Sequence, residues 1–130
     1  MSLVNSSKPI RRVVIGGHRD FYNYELLSTY VDMCLSNIKD QYEIIIVSGT
    51  CRGTDQLGER YAKEHGFKCE RYPAQWDIYG KKAGPIRNEY MVSISDYVIA
   101  FWTGGGRGTK SLISLAKAYN RPLRIKMIEG

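Results

Sequence analysis

Residues 98–110 carry the most informative pattern in this chain: Val98-Ile99-Ala100-Phe101-Trp102-Thr103-Gly104-Gly105-Gly106-Arg107-Gly108-Thr109-Lys110. An apolar run ends in four glycines within five residues, and apolar residues then recur at the helical positions 112, 115, 116 and 119. The pattern predicts a strand, a glycine-rich turn and a helix. The first N–H groups of such a helix face the turn, and the helix dipole favours an anion there. A tight turn without a ligand is the alternative interpretation.

Two earlier stretches repeat this arrangement. The turns read Gly16-Gly17-His18-Arg19-Asp20-Phe21 after the β-branched run 12–15, and Ser48-Gly49-Thr50-Cys51-Arg52-Gly53-Thr54-Asp55 after the apolar run 43–47. A long helix is expected from about Asn23 onwards, with an apolar face that extends to Ile38. Thr54 or Asp55 can cap the helix that follows the second turn. Continuous apolarity in run 43–47 indicates a strand covered on both faces, as in a parallel sheet.

The rest of the chain completes an alternating pattern of strands and helices. Residues 67–72 and 96–102 are predicted strands, and 122–127 is predicted as an edge strand because Pro122 opens it. Residues 73–84 show no clear period, and a loop of this length is usually functional or disordered. Pro85 suits the first turn of the next helix.

The order of elements predicts an α/β fold with a mostly parallel five-stranded sheet in the order 3-2-1-4-5. In such a sheet a ligand binds at the carboxyl ends of the strands, where the strand order reverses. The turns after strands one, two and four all open on that edge. Their convergence is the main reason to expect a ligand site.

Composition limits the alternatives. With 130 residues, the chain is expected to form one domain over 1–130. No apolar run approaches the roughly 20 residues that span a bilayer, and no signal peptide is visible. The net charge of +6 suits an anionic ligand, although such a charge is common. Residues 1–3 and 129–130 look like expression-vector remnants, and 4–9 like a loose lead-in.

The three cysteines also bear on the compartment. Cys34, Cys51 and Cys69 are far apart and lack the spacing of a metal site. They indicate reduced thiols in a cytoplasmic protein, and no metal is expected.

Arginines in or near the turns are candidate anion ligands. Arg19 could clamp a phosphate or pair with Asp20. Arg52 could close the second turn over a ligand or be solvated. Arg87 begins a helix, where the dipole disfavours a cation unless an anion lies nearby. Arg107 could contact phosphate, whereas Lys110 is more simply a solvated side chain.

Other side chains have both a functional and a structural interpretation. Asp55 could bind a ribose hydroxyl or cap its helix. Trp76 and Tyr79 could stack on a base or anchor the long loop on the sheet. His18 could serve acid–base chemistry or be incidental. Glu89 is the only carboxylate beside Arg87 and could be a displaced general acid. Residues two positions apart on a helix point about 200° away from each other, which argues against this role.

Several motifs together resemble the SLOG superfamily, and its YspA-like branch in particular. They are Gly16 to Phe21, Ser48-Gly49 with Arg52-Gly53-Thr54-Asp55, Tyr72-Pro73-Ala74-Gln75-Trp76, residues 80–88 with Met91, and Phe101-Trp102 with Gly108-Thr109. The resemblance covers residues 11 to about 125. It implies a Rossmann-like, three-layer α/β/α domain that binds nucleotides or their derivatives.

The resemblance also bears on catalysis. Related LOG phosphoribohydrolases carry Pro-Gly-Gly-x-Gly-Thr-x-x-Glu with a catalytic Glu, and an Arg on the preceding helix. Residues 105–109 match the glycine part and Arg87 matches the helix Arg, but the Glu position falls on Leu112. The sequence also lacks the acid near Thr103 and the Ser near Gly106 that are frequent in the YspA-like branch. Hydrolase chemistry is therefore in doubt.

We expect a nucleotide-binding domain, a sensor or carrier, that has a phosphate-binding loop and needs no cofactor. An N-glycosidic or phosphoribosyl hydrolase with another acid is the alternative. Binding of single-stranded nucleic acid, as in the related DprA, ranks last because the basic residues are scattered. Aromatic residues near the start of the long helix suggest a homodimer or core packing. The predicted ligand-binding residues are Gly16, Gly17, Arg19, Ser48, Gly49, Arg52, Gly53, Asp55, Trp76, Arg87, Asn88, Gly105, Gly106, Arg107, Gly108 and Thr109.

Overall fold

A five-stranded sheet lies at the centre of the computed structural model, which describes residues 8–129. The strands are β1 (Ile10–Gly17), β2 (Glu43–Ser48), β3 (Lys68–Arg71), β4 (Tyr97–Trp102) and β5 (Leu123–Met127). They stand in the order β3-β2-β1-β4-β5, and every neighbouring pair is parallel. The predicted Rossmann-like class and strand order are confirmed. Of the suspected vector remnants, residues 1–3 and 130 lie outside the described residues, as does most of the lead-in.

Two pairs of helices cover the two faces of the sheet. The helices are α1 (Tyr24–Leu35), α2 (Thr54–His65), α3 (Trp76–Tyr79), α4 (Ala83–Ile94) and α5 (Arg107–Ala118). Alternate residues of β1 point to opposite faces, so Val13 packs in the core with α1 and α2, whereas Val14 packs with α4 and α5. Between residues 8 and 129, no helix is long and apolar enough to cross a membrane.

The register of the central strands determines where the turns emerge. Val14 is paired with Val47 of β2 and with Val98 of β4. The core residues of these strands are almost completely buried, and each large apolar side chain contributes about 1.5–3 kcal/mol by leaving water. Because a shift of one residue would turn these side chains to the wrong face, the register is strongly specified. The carboxyl ends of β1, β2 and β4 therefore meet at one edge.

The boundaries of β1 and α1 differ from the sequence expectation. β1 continues through Gly17, where a Cβ would lie 2.2 Å from the Phe101 carbonyl oxygen, so the glycine permits close pairing with β4. Helix α1 begins after Asn23, whose side chain accepts a hydrogen bond from Leu26 N–H, but it ends at Leu35. Ile38 lies in the following turn and still packs against the core.

The expected loop at residues 73–84 is largely helical. It contains α3, a 3₁₀ turn at Gly80–Lys82 and the start of α4 at Ala83. Pro85 is the third residue of α4 and therefore lies in its first turn, as expected. The first turn of a helix tolerates proline because its N–H groups have no intrahelical acceptor. Short helical turns of this kind have no apolar period, and the sequence therefore did not reveal them.

A candidate anion-binding cleft

Three turns meet at the carboxyl edge of the sheet and surround a cleft of about 440 Å³. They are the first turn (residues 17–20, from the last residue of β1), the second turn (49–53, after β2) and the third turn (103–107, from the end of β4 to the first residue of α5). All predicted site residues except Ser48, Gly53, Trp76 and Gly105 line this cleft. The convergence expected from the strand order is therefore present in the structure.

The second turn is packed by the protein itself. A Cβ on Gly49 would lie 2.8 Å from Arg87 Nη1 and 2.9 Å from Asp55 Oδ2. Ser48 Oγ accepts a hydrogen bond from Thr50 N–H and donates to Glu59, and Thr50 adopts a left-handed conformation with φ of 67°. The missing Cβ of Gly49 thus makes room for protein side chains rather than for a ligand.

The N-terminus of α2 is likewise occupied. The N–H and the Oγ1 hydroxyl of Thr54 both donate to the His18 carbonyl oxygen, at 3.2 and 2.8 Å. Gly53 has φ of 77°, and a Cβ there would lie 2.2 Å from the Arg19 carbonyl oxygen. The expectation that Thr54 or Asp55 caps α2 is wrong, because Gly53 is the N-cap and no side chain caps this helix. The first turn of the chain fills that position instead.

The third turn is open. Helix α5 begins at Arg107 with Gly106 as N-cap, no side chain caps it, and φ of Gly106 is 84°. A Cβ on Gly106 or Gly108 would meet nothing within 4 Å. The helical hydrogen-bond ladder starts with Lys110 N–H donating to the Gly106 carbonyl, so the preceding amides have no acceptor within the helix. This end of α5 presents N–H groups and a positive partial charge to the cleft.

The cleft arginines differ in their availability. Arg52 Nε pairs with Asp20 Oδ1 at 3.1 Å, and both side chains are largely exposed. The sequence left open a pairing of Arg19 with Asp20, but in the structure Asp20 pairs with Arg52. Within residues 8–129, no hydrogen bond or ion pair engages the side chain of Arg19 or Arg107. These two guanidinium groups are free to bind an anion.

Arg87 is engaged by the protein rather than free. Its Nη1 donates to the carbonyl oxygens of Gly49 and Tyr72, and its Nε donates to Asn88 Oδ1 at 2.8 Å. Its Nη2 lies 3.8 Å from Cys51 Sγ. Arg87 therefore joins the ends of β2 and β3 to α4 and positions the second turn.

Asp55 places a buried carboxylate at the cleft, where only 7% of the residue is exposed. Its Oδ2 accepts a hydrogen bond from Cys51 N–H at 3.1 Å. Burial raises the pKa of Asp55 to about 6, although the Cys51 hydrogen bond and the charge of Arg87 act in the opposite direction. Burial dominates because it penalises the charged form.

Two comparisons with known proteins identify the family of this chain. A model of the YAcAr family, described as "YspA, cpYpsA-related SLOG family", matches residues 11–79. The Gene 61 protein of Mycobacterium phage D29 is 31% identical over 121 residues, covering 88% of this chain and 94% of the phage protein. The chain belongs to the YAcAr family.

Solved structures resemble the YAcAr chain in fold. DNA processing protein A from Helicobacter pylori, described for its single-stranded DNA binding mode, has a TM-score of 0.63 at 19% identity, with 95% of this chain and 68% of that chain covered. The Moco carrier protein from Chlamydomonas reinhardtii has a TM-score of 0.55 at 17% identity, with 92% and 76% covered. At these identities the likeness concerns the fold.

Leu112, the residue that the resemblance aligns with the catalytic Glu of LOG phosphoribohydrolases, lies in the cleft wall. It is 4% exposed and lines the cleft. Its Cδ2 lies 2.9 Å from the position of a Cβ on Gly16. Glu89 accepts a hydrogen bond from Tyr119 and does not line the cleft, in agreement with its helical position. The wall near Leu112 is therefore apolar.

Four predicted site residues lie outside the cleft. Ser48 and Gly53 support the second turn as described above. The Gly105 carbonyl accepts a hydrogen bond from Trp102 Nε1 at 2.8 Å. Trp76 is 51% exposed at the start of α3, where its ring edge lies near Gly84.

The structure also adds residues that the predicted set omitted: Ile15, His18, Asp20, Cys51, Met91 and Leu112. Cys51 belongs to the second turn, and Met91 follows Arg87 by four positions on the same helical face. Helical spacing could have identified Met91 from the sequence. Asn88, which was predicted, links the two helices because its Nδ2 donates to the Gly108 carbonyl at 3.4 Å.

Proposed function

We propose that this protein binds a nucleotide or nucleotide derivative, with a phosphate group at the N-terminus of α5. The observation that carries the proposal is the open third turn, where no side chain of residues 8–129 caps the helix. The helix dipole and its unpaired N–H groups form an anion site. A ligand at this site would accept hydrogen bonds from the α5 amides, as the His18 carbonyl oxygen accepts one from Thr54 N–H at the start of α2.

Arg19 and Arg107 supply the positive charge that such a site needs. They lie on the first and third turns and line the same cleft. Arginine binds phosphate in a bidentate manner, and hydrogen bonds between charged partners are stronger than neutral ones. The net charge of +6 favours the approach of an anion.

The size and lining of the cleft support a small organic ligand. A volume of about 440 Å³ falls within the range of roughly 300–1,000 Å³ typical of small-molecule sites. The lining of the cleft also includes the apolar side chains of Ile15, Met91 and Leu112. A nucleotide combines an anionic phosphate with a less polar base, and this cleft has a surface for each.

A thermal-shift panel of mononucleotides, NAD derivatives and ADP-ribose tests the proposal, followed by calorimetry on the ligand that stabilises most. Arg107→Gln is expected to weaken binding about tenfold, because a charged hydrogen bond contributes about 1.5–3 kcal/mol. Lys110→Gln is the matched control, since it removes the same charge from α5 but Lys110 does not line the cleft.

The outcomes separate binding from other functions. Stabilisation by no member of the panel, or equal affinities for Arg107→Gln and the wild type, would overturn the proposal. Chromatography of the same samples shows whether a free nucleobase is released, as the hydrolase alternative requires. Titration with single-stranded oligonucleotides at rising salt tests the third alternative, for which affinity must fall steeply.

A further inference from the structure

We propose that Asp55 selects ribonucleotides by accepting a hydrogen bond from a ribose hydroxyl of the bound ligand. This inference rests on the proposed nucleotide binding and names the class of nucleotide. It assigns the carboxylate a specificity role in the cleft, in addition to its contact with the second turn.

The two oxygens of Asp55 have different surroundings. Oδ2 accepts the Cys51 N–H and lies on the side of Gly49. Oδ1 is on the side of Gly16, 3.4 Å from the position of a Cβ on that glycine, and Gly16 lines the cleft. Within the described part of the chain, the Cys51 N–H donates to Oδ2 and no donor lies within hydrogen-bond distance of Oδ1, although the nearby Cys51 side chain also interacts with the carboxylate and lowers its pKa. A buried carboxylate therefore offers one unused acceptor to the cleft.

The chemistry of that acceptor restricts what can occupy it. An ionised carboxylate only accepts hydrogen bonds, so its partner must be a donor such as a hydroxyl or an amino group. It repels a phosphate, which is therefore directed to the open end of α5 and the two free arginines. A phosphate held there leaves the sugar as the adjacent part of a nucleotide, and its hydroxyls are donors.

The other charged and titratable groups around Asp55, taken element by element, do not offer the ligand an unpaired carboxylate. Arg87 of α4 directs its donors to carbonyls, to Asn88 and to Cys51. Glu59 of α2 accepts hydrogen bonds from Ser48 and Arg71 and does not line the cleft. Asp20 of the first turn is paired with Arg52. His18 and Cys51 also line the cleft, but neither adds a carboxylate.

The experiment compares ribose with its deoxy analogues at pH 8, where Asp55 is ionised. Calorimetry measures the binding of the adenosine, guanosine, cytidine and uridine 5′-monophosphates, and then of the 2′-deoxy and 3′-deoxy forms of the tightest ligand. Loss of the hydroxyl that Asp55 recognises should weaken binding about tenfold or more, because a buried charged acceptor is left unpaired.

Asp55→Asn provides the decisive variant. Asparagine can still accept the Cys51 N–H through Oδ1, but it then turns an amide NH₂ towards the cleft, so the acceptor becomes a donor. This variant should bind the ribonucleotide and the deoxynucleotide within about twofold of each other. Glu59→Gln is the matched control, since it removes a neighbouring carboxylate charge outside the cleft and should retain the ribose preference.

The results distinguish this inference from the proposed function. If ribonucleotides bind but both deoxy analogues bind equally well, the ribose role is wrong and nucleotide binding stands. If Asp55→Asn keeps the full ribose preference, another group reads the sugar and the inference is overturned. If no nucleotide binds, both proposals fail together. A tenfold ribose preference that disappears only in Asp55→Asn supports both.

Discussion

The second and third turns have similar sequences but opposite surroundings. Each follows a buried strand, contains glycines and an arginine, and leads into a helix of 12 residues. At the second turn, Arg87, Asp55 and the carbonyls of the first turn occupy the space around the glycines and the helix start. At the start of α5 beside the third turn, a Cβ on Gly106 or Gly108 would meet no protein atom within 4 Å. A glycine-rich turn therefore becomes a candidate anion site only where the rest of the fold leaves it open.

This difference also separates two roles for arginine. Arg87 reaches the second turn and gives its hydrogen bonds to carbonyl oxygens, which fixes the backbone. Arg107 lies on the third turn, where no described residue accepts its hydrogen bonds. The first arginine positions the site, and the second is available to a ligand.

The largest effect is expected from an alanine at the crowded turn. Gly53→Ala forces a side chain into a left-handed conformation and within 2.2 Å of the Arg19 carbonyl oxygen. Backbone strain and overpacking each cost about 1–3 kcal/mol, so the free energy of unfolding should fall by about 3 kcal/mol. Urea denaturation measures this change.

Gly106→Ala is the matched control for that prediction. Its φ of 84° is similarly strained, but a Cβ there meets nothing within 4 Å. It should cost only about 1–2 kcal/mol of stability, from the positive φ of the backbone alone. Equal losses in the two variants would show that the second turn is not more closely packed than the third.

A smaller effect concerns the charge of Asp55. Its pKa is about 6 in the folded protein, against about 3.9 in an unfolded chain. The folded state therefore binds more protons between these values, so this group favours folding at low pH and loses that contribution as pH rises through 6. Asp55→Asn removes the cost of burying the charge and should be more stable than the wild type by about 2–3 kcal/mol at pH 8.

Denaturation from pH 4 to pH 8 checks the sign of that effect. The advantage of Asp55→Asn should shrink towards zero near pH 4, where Asp55 is protonated in the folded protein. An advantage that stays constant with pH would mean that the carboxylate is not penalised by burial. The second turn would then hold no carboxylate that burial destabilises, and in this respect it would not differ from the third turn.

The smallest effect is expected at Trp76. This residue was predicted to bind the ligand, but its exposed side chain does not line the cleft. Trp76→Ala should therefore leave the affinity for the best ligand unchanged within about twofold, since burial of an interface residue governs its effect on binding. Calorimetry measures the affinity, with Arg107→Gln as the sensitive comparison. A loss of tenfold in Trp76→Ala would extend the site beyond the three turns.

The fold was largely predictable because its signals are local. Continuous apolar runs marked the buried strands, glycines marked their ends, and helical spacing marked the inner faces of α1 and α5. The region 73–84 was not predictable, because α3 and the 3₁₀ turn are too short to show a period. Most predicted site residues line the cleft because turns after parallel strands share one edge.

The sequence by itself determined the α/β class, the strand order and the edge at which the three turns gather, since hydrophobic periodicity and glycine positions act within a few residues. Only the tertiary structure decided which turn is filled and which is open. Thr54 meets the His18 carbonyl from 36 positions away, and Arg87 reaches Gly49 across 38. Such contacts depend on how separate elements pack against each other, and no local pattern encodes that packing.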